Sequence, residues 1–177
     1  GGAGMRLQTF CENRYEFRVL VDPIATYNFQ TLPEQPAISI VPGAPKTWVA
    51  VVPSTITRGE PFLLRIKAED TWGNPTNKAS TKLAVKSNCP IDNLPDFIEV
   101  DVGDYATIIS GLIVRKSGTL EIMLHAPDGS VVAKCNPANV SDAPDLRSYW
   151  GDLHGQSDET LGTNSATDYF AFGRDRA

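Results

Sequence analysis

Residues 59–74 read Gly-Glu-Pro-Phe-Leu-Leu-Arg-Ile-Lys-Ala-Glu-Asp-Thr-Trp-Gly-Asn, and they carry the strand and turn signals from which the fold is predicted. Between residues 62 and 68, apolar side chains occupy every second position: Phe62, Leu64, Ile66 and Ala68. A period of two is typical of a β-strand with one face in a core and the other in water. The second half predicts a tight turn. Asp70 would cap this turn with its own side chain, and Gly73 would supply the unusual φ.

The same signals recur on both sides of this stretch, at the spacing of a two-sheet sandwich. Short apolar or alternating runs predict strands at Trp48–Val52, Pro61–Ala68, Thr81–Val85, Phe97–Val102, Tyr105–Val114, Thr119–His125 and Val131–Cys135. Gly111 would form a bulge in one of them, and Asp128 with Gly129 a hairpin turn. The sequence has no long helical period before residue 160. These patterns favour a sandwich with Greek-key links.

The strand entered through Gly-Glu-Pro and the Asp-x-x-Gly-Asn turn after it resemble a feature of many bacterial immunoglobulin-like modules. We therefore predict an all-β protein with an immunoglobulin-like β-sandwich over residues 45–140. Residues 1–44 would be an N-terminal extension with one strand, at 15–21, and a proline-rich segment. Within that segment, residues 37–41 would form an edge strand or an extended linker, because proline lacks the donor a central strand needs.

Composition restricts the choice of partners and compartment. The 177 residues carry a formal net charge of −5 and no block of lysine and arginine, which argues against a nucleic-acid partner. No apolar run approaches the ~18–20 residues needed to cross a bilayer, so no membrane partner is expected. The three cysteines, Cys11, Cys89 and Cys135, lack C-x-x-C spacing. They are interpreted as thiols in a reducing, cytoplasmic setting, with a Cys89–Cys135 disulfide as the alternative.

The composition changes after Val140, and residues 141–177 contain a motif with chemistry in it. Residues 149–157 read Tyr-Trp-Gly-Asp-Leu-His-Gly-Gln-Ser. This resembles the opening of the PHP (polymerase and histidinol phosphatase) metallohydrolases, whose barrel begins with a strand carrying Asp-Leu-His-x-His. The resemblance implies that His154 is a metal ligand and that Asp152 supports it. Gln156 stands where the second histidine belongs, and an amide binds zinc or manganese far less well than imidazole.

A closer match is to an uncharacterised bacterial family in which a β-sandwich precedes a PHP-like domain opening with Gly-Asp-Leu-His. The resemblance implies a non-catalytic accessory sandwich within a longer protein. There a divalent metal, zinc or manganese, would activate water for attack on a phosphoester or amide-like bond. Such a barrel needs about 200 residues or more. We therefore expect no complete active site and no cofactor in this chain, and the missing C-terminal barrel as its partner.

The end of the tail predicts a short helix over residues 165–175. Ser165 and Asp168 form a capping-box-like start, and an apolar side follows at Ala166, Tyr169, Phe170 and Phe172. Without barrel strands to cover it, this helix would fray, dock on the sandwich, or pack on another copy of the chain. Self-association through the tail is thus one expected behaviour.

Two other functions are left open by the sequence. The first is a glycan- or protein-binding module, for which Trp48, Trp72 and Trp150 would be a stacking platform rather than core and turn residues. The second is a purely structural spacer. A flat aromatic cluster on one sheet would favour binding. An exposed apolar patch around Tyr149, Trp150, Tyr169 and Phe172 would favour docking of a barrel.

Overall fold

A computed structural model of the chain describes residues 4–143, 155–162 and 164–175. Within these ranges the chain forms sixteen strands and one helix. In chain order they are β1 (Glu12–Glu16), β2 (Leu20–Val21), β3 (Gln30–Thr31), β4 (Ala37–Ile40), β5 (Thr47–Val51), β6 (Thr55–Thr57), β7 (Pro61–Glu69), β8 (Pro75–Thr76), β9 (Thr81–Ser87), β10 (Ile91–Asp92), β11 (Phe97–Val100), β12 (Thr107–Val114), β13 (Gly118–Leu120), β14 (Ile122–His125), β15 (Val131–Lys134), β16 (Ala138–Ser141) and α1 (Ala166–Asp175).

Two antiparallel sheets form the body of the fold. One has the order β10-β12-β7-β5, with β8 paired to β7, and the other has the order β11-β9-β14-β15. The orders β5-β7-β12 and β9-β14-β15 are those of strands A-B-E and C-F-G in the immunoglobulin fold. A third sheet, β13-β16-β6, includes a parallel pairing of β16 with β6. The predicted all-β, immunoglobulin-like sandwich is therefore confirmed.

The core lies between the two large sheets. Its largest fully buried apolar side chains are Leu64, Ile66, Leu112 and Val114 from the first sheet, Leu83, Ile122 and Leu124 from the second, and Leu120 from β13 of the third sheet. In β7 the alternating apolar residues Phe62, Leu64, Ile66 and Ala68 are all buried, and the residues between them are exposed or half-buried. The period-two pattern of residues 61–69 therefore placed one face of the central strand correctly.

The predicted bulge and hairpin turn are both present. Gly111 has a φ of +73°, and the pairing of β12 with β7 shifts register between Ile109 and Leu112. Gly129 has a φ of +85°, and its N–H donates to the Ala126 carbonyl at 2.9 Å. Left-handed backbone of this kind is unstrained only for glycine, which explains why these two turns could be read from the sequence.

The predicted strand at 119–125 is instead two strands that pair with different neighbours. It breaks at Glu121, whose N–H donates to the Asn88 side-chain oxygen at 3.0 Å. The Asn88 N–H in turn donates to the Glu121 carbonyl at 3.1 Å. These bonds take the backbone of Glu121 out of the ladder, so β13 pairs with β16 while β14 pairs with β9 and β15.

Residues 12–41 form a two-stranded antiparallel ribbon, here called the arm. Strand β1 pairs with β4, and β2 pairs with β3 nearer the tip. The strand predicted at 15–21 is interrupted between β1 and β2, because Val19 bonds to the Gln35 side chain at 2.6 Å. Residues 37–40 form an edge strand, the first of the two alternatives expected from the flanking prolines.

Truncation of the core should be far more costly than truncation on the same strand's outer face. Leu64 is fully buried, whereas its neighbour Leu63 is 40% exposed. We expect Leu64→Ala to lower the free energy of unfolding by about 2–5 kcal/mol, since it leaves a cavity between the sheets. Urea denaturation followed by tryptophan fluorescence measures this change. Leu63→Ala is the matched control, and equal losses for the two variants would contradict the assigned faces of β7.

Candidate functional site

The residues predicted to bind metal are only partly within the described structure. Asp152 and His154 lie outside the described residues. The role of His154 as a metal ligand and of Asp152 as its support therefore stays a prediction. Gln156 is described and exposed to solvent. Among the described residues there is no group of three or more His, Cys, Asp or Glu side chains placed to hold a metal ion.

Gln156 opens a compact turn that ends at Gly162. The N–H groups of Thr160 and Gly162 both donate to the Ser157 carbonyl, at 2.9 and 2.8 Å. A Cβ atom on Gly162 would lie 2.6 Å from the Gln156 carbonyl oxygen. Only glycine fits so close to that backbone, so this turn requires glycine at position 162.

The predicted helix follows this turn as α1, and its predicted cap is confirmed. The Ser165 hydroxyl accepts from the Asp168 N–H at 3.1 Å and donates to the Asp168 carboxylate at 2.7 Å. The Tyr169 ring lies against Gly155, where an added Cβ would be 3.2 Å from the ring. The turn and helix therefore form one local unit that begins directly after the Asp152–His154 motif.

This local unit exposes large apolar side chains. No residue of α1 is buried, and Phe170 and Phe172 are 71% and 47% exposed. Leu161, in the preceding turn, is 85% exposed. Tyr149 and Trp150, the other members of the expected docking patch, lie outside the described residues. An amphipathic helix of this length is marginal in water on its own, so it gains most from a partner that covers its apolar side.

A second polar centre lies at the turn after β7, where the Asp70 carboxylate is only 4% exposed. It accepts hydrogen bonds from the N–H groups of Gly43 (2.9 Å), Trp72 (2.8 Å) and Asn74 (3.0 Å). The Asn74 side-chain amide donates to both oxygens of the Asp70 carboxylate, at 3.1 and 3.0 Å. Sequence reasoning predicted only the local cap. The bond from Gly43, 27 residues away, was not foreseen.

Asn74 and Thr76 extend these contacts to both ends of the arm. The Asn74 side chain donates to the Thr9 carbonyl at 2.8 Å and accepts from the Cys11 N–H at 2.9 Å. The Thr76 hydroxyl donates to the Gly43 carbonyl at 2.8 Å. Asp70, Asn74 and Thr76, here called the clamp, therefore hold the chain just before β1 and just after β4 against the sandwich.

The hydrogen bonds of the clamp set the charge state of Asp70. Burial acts to raise its pKa, but the donors from Gly43, the Asn74 side chain, Trp72 and the Asn74 N–H together outweigh it. They lower the pKa from 3.8 to about 2. The carboxylate is therefore ionised at neutral pH without a cationic partner among its hydrogen-bond donors, because N–H dipoles stabilise the charged form.

The remaining sequence candidates are the cysteines and the tryptophans. Cys11, Cys89 and Cys135 are not in disulfides, and burial raises the pKa of the Cys135 thiol. Trp48 packs against the core, and Trp72 lies on the Asp70 turn under the Arg6 guanidinium, 5.3 Å from the ring centroid. Trp150 lies outside the described residues. Within the described ranges, no helix has the length and apolar character needed to span a membrane.

The known proteins that are similar to this chain are found among solved structures. No family model matches this chain. No curated protein matches it either. Among solved structures, the D00–D0 domain of intimin is similar, with 11% identity and a TM-score of 0.42. The match covers 74% of this chain and 66% of that one, just under two thirds of its length. The CARDB domain of the PF1109 protein from Pyrococcus furiosus, solved in complex with di-metal ions, has 14% identity and a TM-score of 0.36. That match covers 58% of this chain and 93% of that chain.

Removing the Asp70 charge should destabilise the protein and flatten its acid response. Because the folded-state pKa lies below the unfolded value, the stabilisation is present above about pH 4 and is lost as pH falls towards 2. We expect the wild-type protein to lose about 2 kcal/mol from this group in that window. Asp70→Asn should be less stable at pH 7 by a similar amount. The N–H₂ group of the new amide would face backbone N–H groups that need an acceptor, and these donors would be left unpaired.

Urea denaturation of both proteins at several pH values measures this difference. Native-state hydrogen exchange should also show faster exchange of the Cys11 and Gly43 amides in Asp70→Asn. Asp101→Asn is the control, since Asp101 is exposed. An unchanged acid response in Asp70→Asn would contradict the role of the clamp.

Proposed function

We propose that this chain is the N-terminal accessory region of a PHP-like, metal-dependent hydrolase. In this proposal the sandwich is non-catalytic and carries a barrel that follows the Gly151-Asp-Leu-His154 motif. His154 would bind zinc or manganese, and Asp152 would support that ligand. Gln156 would be a weak ligand or a substrate contact. The bound metal would supply an activated water for hydrolysis of a phosphoester or amide-like bond.

The unit formed by residues 155–162 and 164–175 is the observation that carries this proposal. A fixed turn and a capped helix directly follow the motif and present Leu161, Phe170 and Phe172 to solvent. Apolar side chains at this density favour burial against a partner, and a barrel continuing from the same motif is the nearest candidate. The core of the sandwich extends to Val140 in β16.

The alternative, a glycan- or protein-binding module, has weaker support from the described strands. The four-stranded sheet has one aromatic residue in its strands, Phe97, which is 55% exposed. The Lys82 ammonium lies 4.9 Å from the centroid of that ring and forms an ion pair with Glu99 at 3.5 Å. A single ring covered by a lysine is a poor stacking platform compared with a flat aromatic cluster.

The metal content of the longer protein tests the proposal. We expect the protein with its barrel to retain divalent metal through purification, and His154→Ala to lose most of it, because one imidazole ligand is removed from the site. Inductively coupled plasma mass spectrometry measures the metal per chain. His125→Ala is the matched control, since His125 is the other histidine of this sequence and lies in the sandwich.

The replacement Gln156→His gives a second, opposite test. It restores the Asp-x-His-x-His spacing of the family, so metal retention against a chelator should increase. Hydrolysis of a phosphomonoester screen should fall with His154→Ala and remain with His125→Ala. Equal metal content in all of these variants would contradict a PHP-type site.

A further inference from the structure

The outer edge of strand β4 has a self-complementary sequence. Residues 36–42 read Pro-Ala-Ile-Ser-Ile-Val-Pro, which is nearly the same in both directions about Ser39 and contains no charged residue. Among the described strands, β4 pairs only with β1. Its other edge is therefore a row of unpaired backbone groups, the kind of edge that attracts another strand.

The hydrogen bonds of the arm show which backbone groups face inward. The Phe17 N–H donates to the Pro36 carbonyl at 2.8 Å, and two residues further on Ile38 is the register partner of Tyr15. Backbone groups point alternately to the two sides of a strand. The even-numbered residues of β4 therefore direct their N–H and C=O groups towards β1.

It follows that the odd-numbered residues face the open edge. These are Ala37 and Ser39 in β4 and, if the alternation continues one residue past the end of the strand, Val41. All three have an N–H group to donate. Pro36 and Pro42, which lack one, fall on the inner side of the alternation. The outer row of donors and acceptors is therefore uninterrupted over five residues, although a proline flanks it at each end.

Strand β1, on the other side of the ribbon, has a protected edge. It carries Glu12, Arg14 and Glu16, and its register shifts between Glu12 and Tyr15 as in a β-bulge. Arg14 and Glu16 form an exposed ion pair at 3.1 Å. Charges and bulges are common means of blocking edge-to-edge pairing. Only the β4 side of the arm is thus open to a further strand.

We propose that two copies of this chain associate through β4, antiparallel about Ser39, to form a four-stranded sheet in the order β1-β4-β4-β1. In this arrangement Ser39 pairs with Ser39 of the partner subunit, and Ala37 pairs with the partner's Val41. The contact is two-fold symmetric about the Ser39 pair, and each of the other residue pairs occurs twice. This proposal is independent of the proposed hydrolase function and does not involve α1.

Burial of apolar surface supports the same arrangement. Tyr15 and Phe17 pack edge to face at 5.3 Å on one face of the arm, and Ile38 is opposite Tyr15 on that face. Ile38 is 42% exposed in the single chain. An isolated two-stranded ribbon is marginal in water, whereas a longer sheet with one apolar face is stable. Pairing about Ser39 would place Ile38 beside Ile40 of the partner subunit and make that face continuous.

Two double variants at residues 37 and 41, one with like charges and one with opposite charges, test the proposal in the full chain. Ala37→Glu with Val41→Glu places like charges opposite each other at two symmetric positions, so it should weaken dimerisation by about tenfold or more. Ala37→Glu with Val41→Lys places opposite charges there and should dimerise at least ten times more tightly than the double glutamate variant. Both positions are exposed in the single chain, and both double variants carry Ala37→Glu opposite Glu16, so any weakening of the β1–β4 pairing is the same in the two.

Sedimentation velocity over a concentration series measures the dimerisation constant of each variant, and far-UV circular dichroism checks the fold. Phe170→Ser is the control for association through the tail. A wild-type chain that stays monomeric at every concentration would overturn the proposal. So would equal weakening in both double variants, or a dimer lost in Phe170→Ser but kept in the double glutamate variant.

Discussion

The Asp70 carboxylate is the constraint on which the arrangement of the N-terminal half depends. A buried, ionised carboxylate is costly unless several donors surround it, and here every donor comes from a backbone or amide N–H. Three of these donors, the Trp72 N–H and the backbone and side-chain N–H groups of Asn74, belong to the turn that follows β7. The fourth, the Gly43 N–H, belongs to the chain between the arm and the sandwich, so that chain must pass over the turn to complete the site.

Asn74 transmits this constraint to the other end of the arm. Asn74 is only 8% exposed, and its side-chain N–H₂ group donates both to the Asp70 carboxylate and to the Thr9 carbonyl, while its side-chain oxygen accepts from the Cys11 N–H. The arm is therefore held at both ends by one turn of the sandwich, although its two ends are about thirty residues apart in sequence. This explains how a ribbon with few buried residues keeps a defined attachment without a hydrophobic core of its own.

The sandwich itself was largely predictable, because its signals are local. The alternation of Phe62, Leu64 and Ile66 indicated one buried face, and Gly111 and Gly129 indicated a bulge and a turn that need left-handed backbone. Strands of two or three residues, such as β6 and β8, are too short to show any period. The break at Glu121 depends on Asn88, 33 residues earlier, and no local pattern reveals such a long-range bond.

The same distinction between local and long-range signals explains what was missed at the candidate sites. Ser165 and Asp168 are three residues apart, so their cap could be read directly from the sequence. The clamp joins Asp70 to Gly43, which lies 27 positions away, and its sequence signature is only that of an ordinary turn. By holding the chain beside Gly43, the clamp fixes the last residues of the Pro36–Pro42 segment next to the sandwich. The edge of β4 is thus attached close to a rigid body, and ordering it for pairing costs less conformational entropy than it would in a free peptide.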